Sequence, residues 1–189
     1  MPYRNGRRGH TGQFGITLIE QIMALAILAI LAVLVSIAAP SLGGLVSRNR
    51  LRSTQMDYIA GLQHAREAAV MHGVPVVFCP SSDGEQCQAS STWDQGWLIG
   101  EDRDGDYQPD HQPLYTGASS DTRLHVRSSS GRYRVRFHPD GSAAGSNLTL
   151  TMCLDGQGEH GLSVVVSNAG RIRGDRPTKT QASACAKDG

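Results

Sequence analysis

Aromatic residues are scarce in this chain: Phe, Tyr and Trp together make up 5% of its 189 residues. That scarcity argues against the large apolar core of a typical enzyme. Catalytic signatures are absent as well, because the sequence contains no nucleophile elbow, no phosphate-binding loop and no metal-binding spacing among its 7 histidines. We therefore predict no catalytic activity, no cofactor and no bound metal.

The chain also lacks a strong charge of one sign, since its net charge is +1, and its overall charge therefore predicts no particular partner. Apolar residues, by contrast, are unevenly distributed. The stretch 22–39 is nearly continuous, whereas the chain beyond Pro40 is polar and rich in glycine. The length suffices for one compact domain plus one additional segment.

No cysteine pair has the C-x-x-C spacing of zinc ribbons and thioredoxin-like sites. All 4 cysteines follow the apolar stretch, which suits an oxidising compartment on one side of a membrane. Three pairings are possible for four cysteines, and we predict the most local one, Cys79–Cys87 with Cys153–Cys185. Four unpaired thiols are the alternative.

The first residues of the chain carry Arg4, Arg7 and Arg8 but no acid before Ile16. As a helix, the apolar stretch 22–39 would measure about 27 Å, close to a hydrocarbon core of about 30 Å. Basic residues before such a span place the N-terminus in the cytoplasm and the rest of the chain in the periplasm. A secretory signal peptide and a plain signal anchor are the alternatives, although Pro40 stands where signal cleavage would occur.

Glu20 lies at the edge of this apolar stretch. An ionised carboxylate held within hydrocarbon costs about 2.5 kcal/mol or more, so it needs a partner. Cleavage before Ile16 would create an α-amine one helical turn away, and Glu20 of one subunit could pair with the amine of another. The alternative is a carboxylate that extends to the membrane interface.

The run Gly15-Ile16-Thr17-Leu18-Ile19-Glu20, after its basic leader, resembles the prepilin cleavage motif of type IV pilins, with Ile16 in place of the usual Phe. The resemblance implies that prepilin peptidase cuts after Gly15 and that Ile16 is N-methylated. It further implies that the apolar helix packs with other pilins or pseudopilins into a filament. Glu20 is then the residue that sets subunit register.

Apolar positions beyond the span recur at helical spacing as far as His72-Gly73, namely Leu51, Tyr58, Ile59, Leu62, Ala65 and Ala69. Short strands separated by turn residues follow, at 74–79, 97–99, 124–127, 133–137, 148–153 and 162–167. We predict an α+β type IV pilin fold with a long helix packed on an antiparallel sheet. Its segments are a leader 1–15, a transmembrane helix 16–40 kinked near Pro40, an amphipathic helix 41–73 and a sheet domain 74–189 with its tail held by Cys185.

The second half of the chain resembles the GspH/FimT group of minor pseudopilins in segments 65–68, 72–76, 96–99 and 170–173. FimT-like members carry a G-R-x-R motif that binds DNA during uptake. Gly170, Arg171 and Arg173 match it, and Arg176 extends it. Strand alternation would put Arg171 and Arg173 on one face, where guanidinium groups suit phosphate oxygens. The alternatives are a charged edge strand that discourages pairing and a Gly-Arg pair that serves the fold.

Two further clusters are candidates for binding. Alternation in 132–137 would place Arg132, Arg134 and Arg136 on one face, either as an extension of a basic DNA track or as the solvated side of a strand. Acidic residues at alternate positions of 102–106, with Asp110, resemble a calcium loop. They do not meet the EF-hand pattern, so a polar turn is the alternative.

These features and the resemblance predict a minor type IV pilin of the bacterial inner membrane. It would be built into a pilus or pseudopilus at the cell surface and would bind DNA for natural transformation. One alternative is a structural minor pilin that initiates pilus assembly without DNA. The other is a GspH-type pseudopilin of type II secretion.

Overall fold

The computed structural model describes residues 17–118, 123–156 and 161–187, without the side chains of 37–42. Gly15 and Ile16 therefore lie outside the described residues. The chain divides into two compact units, Met1–Leu45 and Val46–Gly189. Helix α1 is assigned over Leu18–His72.

The first unit contains an apolar helical segment, Leu18–Ser36, with a mean hydropathy of 2.6. It is long enough and apolar enough to cross a membrane. Its large apolar side chains are 50% to 81% exposed, as expected for residues whose surroundings are lipid or other subunits. Glu20 is exposed in the first turn of α1. The kink expected near Pro40 remains a prediction.

The second unit begins with the amphipathic part of α1. Leu51, Tyr58, Leu62, Ala65 and Ala69 are all buried, at 4% exposure or less. This face packs against a core made of sheet residues, so the apolar periodicity identified the correct face. The helix ends at His72, where Gly73 has a φ of 67° and its N–H donates to the carbonyl of Ala69 at 3.1 Å.

Two four-stranded antiparallel sheets complete the second unit. Their strands are β1 Val76–Pro80, β2 Gly96–Glu101, β3 Tyr115–Ala118, β4 Leu124–Ser128, β5 Val135–Phe137, β6 Leu148–Leu154, β7 Gly161–Val166 and β8 Ile172–Asp175. The order is β3-β2-β1-β5 in the first sheet and β4-β6-β7-β8 in the second. A short helix, α2, covers Lys179–Lys187. The antiparallel α+β architecture agrees with the prediction, although the strands form two sheets.

Three details differ from the sequence prediction. The strand expected at 133–137 covers only Val135–Phe137, because a turn in which Arg132 N–H donates to the Ser129 carbonyl precedes it. β3 was not predicted: its Gly117 leaves room for the Trp97 ring, which a Cβ would overlap. α2 was not predicted either, although Thr178 and Gln181 form a reciprocal capping box at its start.

Most of the described aromatic side chains pack in or against the core, although Tyr107, Tyr115 and Tyr133 are exposed. Phe78 stacks on Trp93 with ring centroids 5.5 Å apart, and Trp97 lies 5.0 Å from Phe78. Tyr58 of α1 contacts the same rings and donates its hydroxyl to the Trp93 carbonyl at 2.9 Å. A small number of clustered rings therefore joins the helix to the sheets.

Both disulfides have the pairing expected from the sequence, Cys79–Cys87 and Cys153–Cys185. The first closes the loop that follows β1. The second fastens α2 to β6, where Cys185 is 3% exposed. The polar tail is thereby held on the second sheet.

Candidate functional site

The turn before β8 requires glycine at position 170. Gly170 N–H donates to the Ser167 carbonyl at 2.8 Å, and its φ is 73°, in the left-handed region. A Cβ there would overlap the carbonyl oxygen of Gly141. Arg66 of α1 donates its Nε to that same oxygen at 2.9 Å. The glycine of the Gly-Arg motif is thus needed by the fold, and it places the next residues at the sheet edge.

β8 is an edge strand, and the motif arginines lie at its start and middle. Arg171 directly precedes β8 and is exposed. Arg173 is 60% exposed and forms an ion pair with Asp175 at 3.3 Å. Guanidinium groups in this position are accessible to a large anionic ligand, although Asp175 partly offsets the charge of Arg173.

Arg176 does not continue this row. Within β8, Ile172 packs against the core and Gly174 lies against Gln55 of α1, so this face of the strand is turned toward the helix. Arg176 follows the end of β8 with the same alternation and lines a groove beside α1. Arg171 lines another groove beside α1, together with Glu67 and Met71. The three predicted arginines therefore occupy three different places.

The arginines around β5 have protein partners of their own. Arg136 binds the buried carboxylate of Asp102, with Nε 2.6 Å from Oδ2. Arg134 lies over the Tyr107 ring at 4.0 Å, and Arg132 donates to the Gly145 carbonyl at 2.9 Å. β5 belongs to the first sheet and β8 to the second, so these arginines do not extend the β8 row.

The acidic loop brings the carboxylates of Asp102, Asp104 and Asp106 within 4.8 Å of one another. Asp102 is fully buried and accepts N–H groups from Gly105 and Tyr107 as well as the Arg136 guanidinium. Arg136 thus supplies the positive charge at this carboxylate. The remaining carboxylates accept backbone N–H groups within the loop. This pattern favours the polar turn over a calcium site.

A charged cluster that the sequence analysis missed surrounds His125. Its Nδ1 lies 3.1 Å from Asp94 and its Nε2 lies 2.5 Å from Asp155. Burial alone would lower the pKa of His125, but hydrogen bonds and charges from both carboxylates outweigh it and raise the pKa. Asp94 also accepts from Arg127 at 2.6 Å. These residues come from separate parts of the chain, so no local spacing indicates the cluster.

Comparisons with known proteins agree with this architecture. The family model described as type II transport protein GspH matches residues 55–170. The type IV minor pilin FimU of Pseudomonas aeruginosa is similar in structure, with a TM-score of 0.57 and 22% identity over 72% of this chain and 94% of FimU. The minor pseudopilin EpsH from the type 2 secretion system of Vibrio cholerae has a TM-score of 0.50 and 14% identity over 68% of this chain and 98% of EpsH.

No curated protein sequence matches the chain. The two structural likenesses show the fold, and the family model covers more than half of the chain. A long N-terminal helix, antiparallel sheets and an apolar segment able to anchor the chain in a membrane are all features of this class. The chain therefore belongs to the GspH family and is a type IV pilin-like minor pseudopilin.

Proposed function

We propose that this minor pilin binds DNA without sequence preference, through the exposed arginines of the β8 edge, for uptake in natural transformation. The observation that carries the proposal is the exposure of Arg171 and Arg173 directly after a turn that the fold holds in place. Two residues along a strand cover about 6.7 Å, and phosphates of one DNA strand follow one another about every 3.4 Å along the helix axis. The two guanidinium groups can therefore contact phosphates about two nucleotides apart.

Contacts with phosphates fix the position of the protein on the DNA but do not distinguish one base from another. Arginine suits them because its planar fork can donate two hydrogen bonds to one phosphate. The edge position favours a long ligand, since a DNA backbone can run along β8 without entering a cavity.

The anchor and its processing belong to the same proposal. We infer that the leader is cut after Gly15, that Ile16 is methylated and that Glu20 pairs with the amine of a neighbouring subunit in the filament. The sheet domain would then lie in the periplasm and later in the filament. The intact mass of the membrane-extracted protein tests the cleavage, and a chain that retains Met1 would contradict it.

The DNA experiment uses the full chain in detergent micelles and a fluorescent duplex whose anisotropy is followed over a range of salt concentrations. We expect the slope of log affinity against log salt to fall by about 1.8 in Arg171→Gln/Arg173→Gln, because each phosphate contact contributes about 0.9. Lysine at both positions should restore part of the affinity, since it keeps the charge and loses the fork.

Arg103→Gln is the matched control. Arg103 is 58% exposed and pairs with Glu101, much as Arg173 is 60% exposed and pairs with Asp175. The Arg103→Gln variant should bind DNA with the affinity of the parent. Equal affinities of the parent and the double Gln variant would contradict the role of the β8 arginines.

A structural role in filament assembly is the second candidate. It is favoured by the ion pair between Arg173 and Asp175, which is typical of a charged edge strand that avoids pairing. If the parent binds no duplex at low salt, this assembly role becomes the better conclusion.

A further inference from the structure

A second cluster of arginines lies where α1 passes the ends of β7 and β8. Arg48 and Arg52 of α1 and Arg176 after β8 line one groove of about 690 Å³. All three side chains are exposed. The groove lies on the helix-facing side of the sheet edge, so it is distinct from the position of Arg173.

The charged side chains that line the groove are all positive. Arg48 and Arg52 are four residues apart on a helix, which puts their side chains on the same face about 5–6 Å apart at Cβ, and like charges at this spacing repel. Arg176 adds a third positive charge from the opposite wall. No carboxylate stands among the described residues that line the groove.

The walls of the groove are partly apolar and are fixed in place. Leu162 and Pro177 supply apolar surface on which the stems of the arginines can lie. Gln55 donates its Nε2 to the Ser163 carbonyl at 2.7 Å and to the Asp175 carbonyl at 3.4 Å. These bonds tie α1 to β7 and β8, so the arginines of the two walls are held at a defined separation.

We propose that this groove takes a phosphate of the DNA backbone and that Arg48 and Arg52 are DNA contacts supplied by α1. The inference rests on the proposed function and extends it from the sheet edge to the helix. Arg173 and Arg176 are three residues apart, or about 10 Å along an extended chain, which corresponds to about three phosphates of one DNA strand. A backbone that follows β8 thus reaches the groove within a few nucleotides.

The test uses the full chain in nanodiscs of neutral phosphatidylcholine, so that no lipid charge competes, with the same fluorescent duplex. We expect Arg48→Gln/Arg52→Gln to lower the salt slope by about 0.9 relative to the parent, because the phosphate held in the groove is no longer neutralised. Arg48→Lys/Arg52→Lys should keep most of the slope, since it preserves the charges. Arg103→Gln again serves as the control and should leave the slope unchanged.

The results separate the two proposals. If the double Gln variant keeps the parent slope while Arg171→Gln/Arg173→Gln loses it, the groove inference is wrong and the proposed function stands. If neither the parent nor any variant binds DNA at low salt, both are wrong. A loss of binding that lysine does not rescue would also overturn the inference, because it would point to lost packing of the arginine stems.

Discussion

Substituting Gly170 by alanine tests whether the motif glycine serves the fold. The φ of 73° is costly for a residue with a Cβ, by about 1–2 kcal/mol. The new methyl group would also overlap the Gly141 carbonyl oxygen, so one of the two turns must move. Movement of Gly141 would break its bond to Arg66, and bonds to charged groups contribute about 1.5–3 kcal/mol. We expect a loss of about 2.5–5 kcal/mol in the free energy of unfolding.

Gly145→Ala is the matched control for this substitution. Its φ is 77°, but a Cβ there would meet nothing within 4 Å. It therefore carries the backbone cost of about 1–2 kcal/mol without the overlap. The comparison of the two variants isolates the contact between the two turns.

Guanidinium chloride unfolding of the full chain in detergent can measure both variants by tryptophan fluorescence. Trp93 and Trp97 both belong to the second unit, so the signal reports on the sheets and not on the apolar segment. If Gly170→Ala is within about 0.5 kcal/mol of Gly145→Ala, the proposed need for glycine at position 170 is wrong, since only larger differences exceed ordinary surface effects.

Two further predictions concern charge. The pKa of His125 is raised in the folded protein, so the contribution of this residue to stability is complete below about pH 6.5 and is lost as pH rises through the folded pKa. The unfolding midpoint of the parent should therefore fall as pH rises through the folded pKa, and that of His125→Gln should not. His64→Gln, which changes an exposed histidine, is the control and should behave like the parent. Replacing Asp175 by asparagine releases Arg173 from its ion pair and removes a charge that repels phosphate. At about 7 Å in water the repulsion between Asp175 and a phosphate is about 0.6 kcal/mol, so the DNA affinity of Asp175→Asn should rise roughly threefold at low salt. Fluorescence anisotropy measures this affinity. Unchanged or weaker binding would contradict a phosphate beside Arg173.

The sequence by itself determined the features that depend on neighbours along the chain. The period of apolar residues identified the buried face of α1, from Leu51 to Ala69, because side chains three and four apart share a helix face. Gly73 marked the end of α1, because a glycine with positive φ ends a helix through a hydrogen bond within its own last turn. The cysteine positions were compatible with the two observed bonds, and the apolar segment followed from composition alone.

Tertiary structure decided most of the contacts between distant segments of the chain. Arg136 was predicted on a basic face, but the buried Asp102 lies 34 positions away in sequence and binds it. Arg176 was grouped with Arg171 and Arg173, yet the alternation of β8 turns it toward Arg48 and Arg52 of α1. The overlap of Gly170 with Gly141 and the carboxylates around His125 likewise arise from packing between turns and strands. Local propensity contains no information on such pairs, because the free energy that selects them comes from burial and charge in the assembled domain.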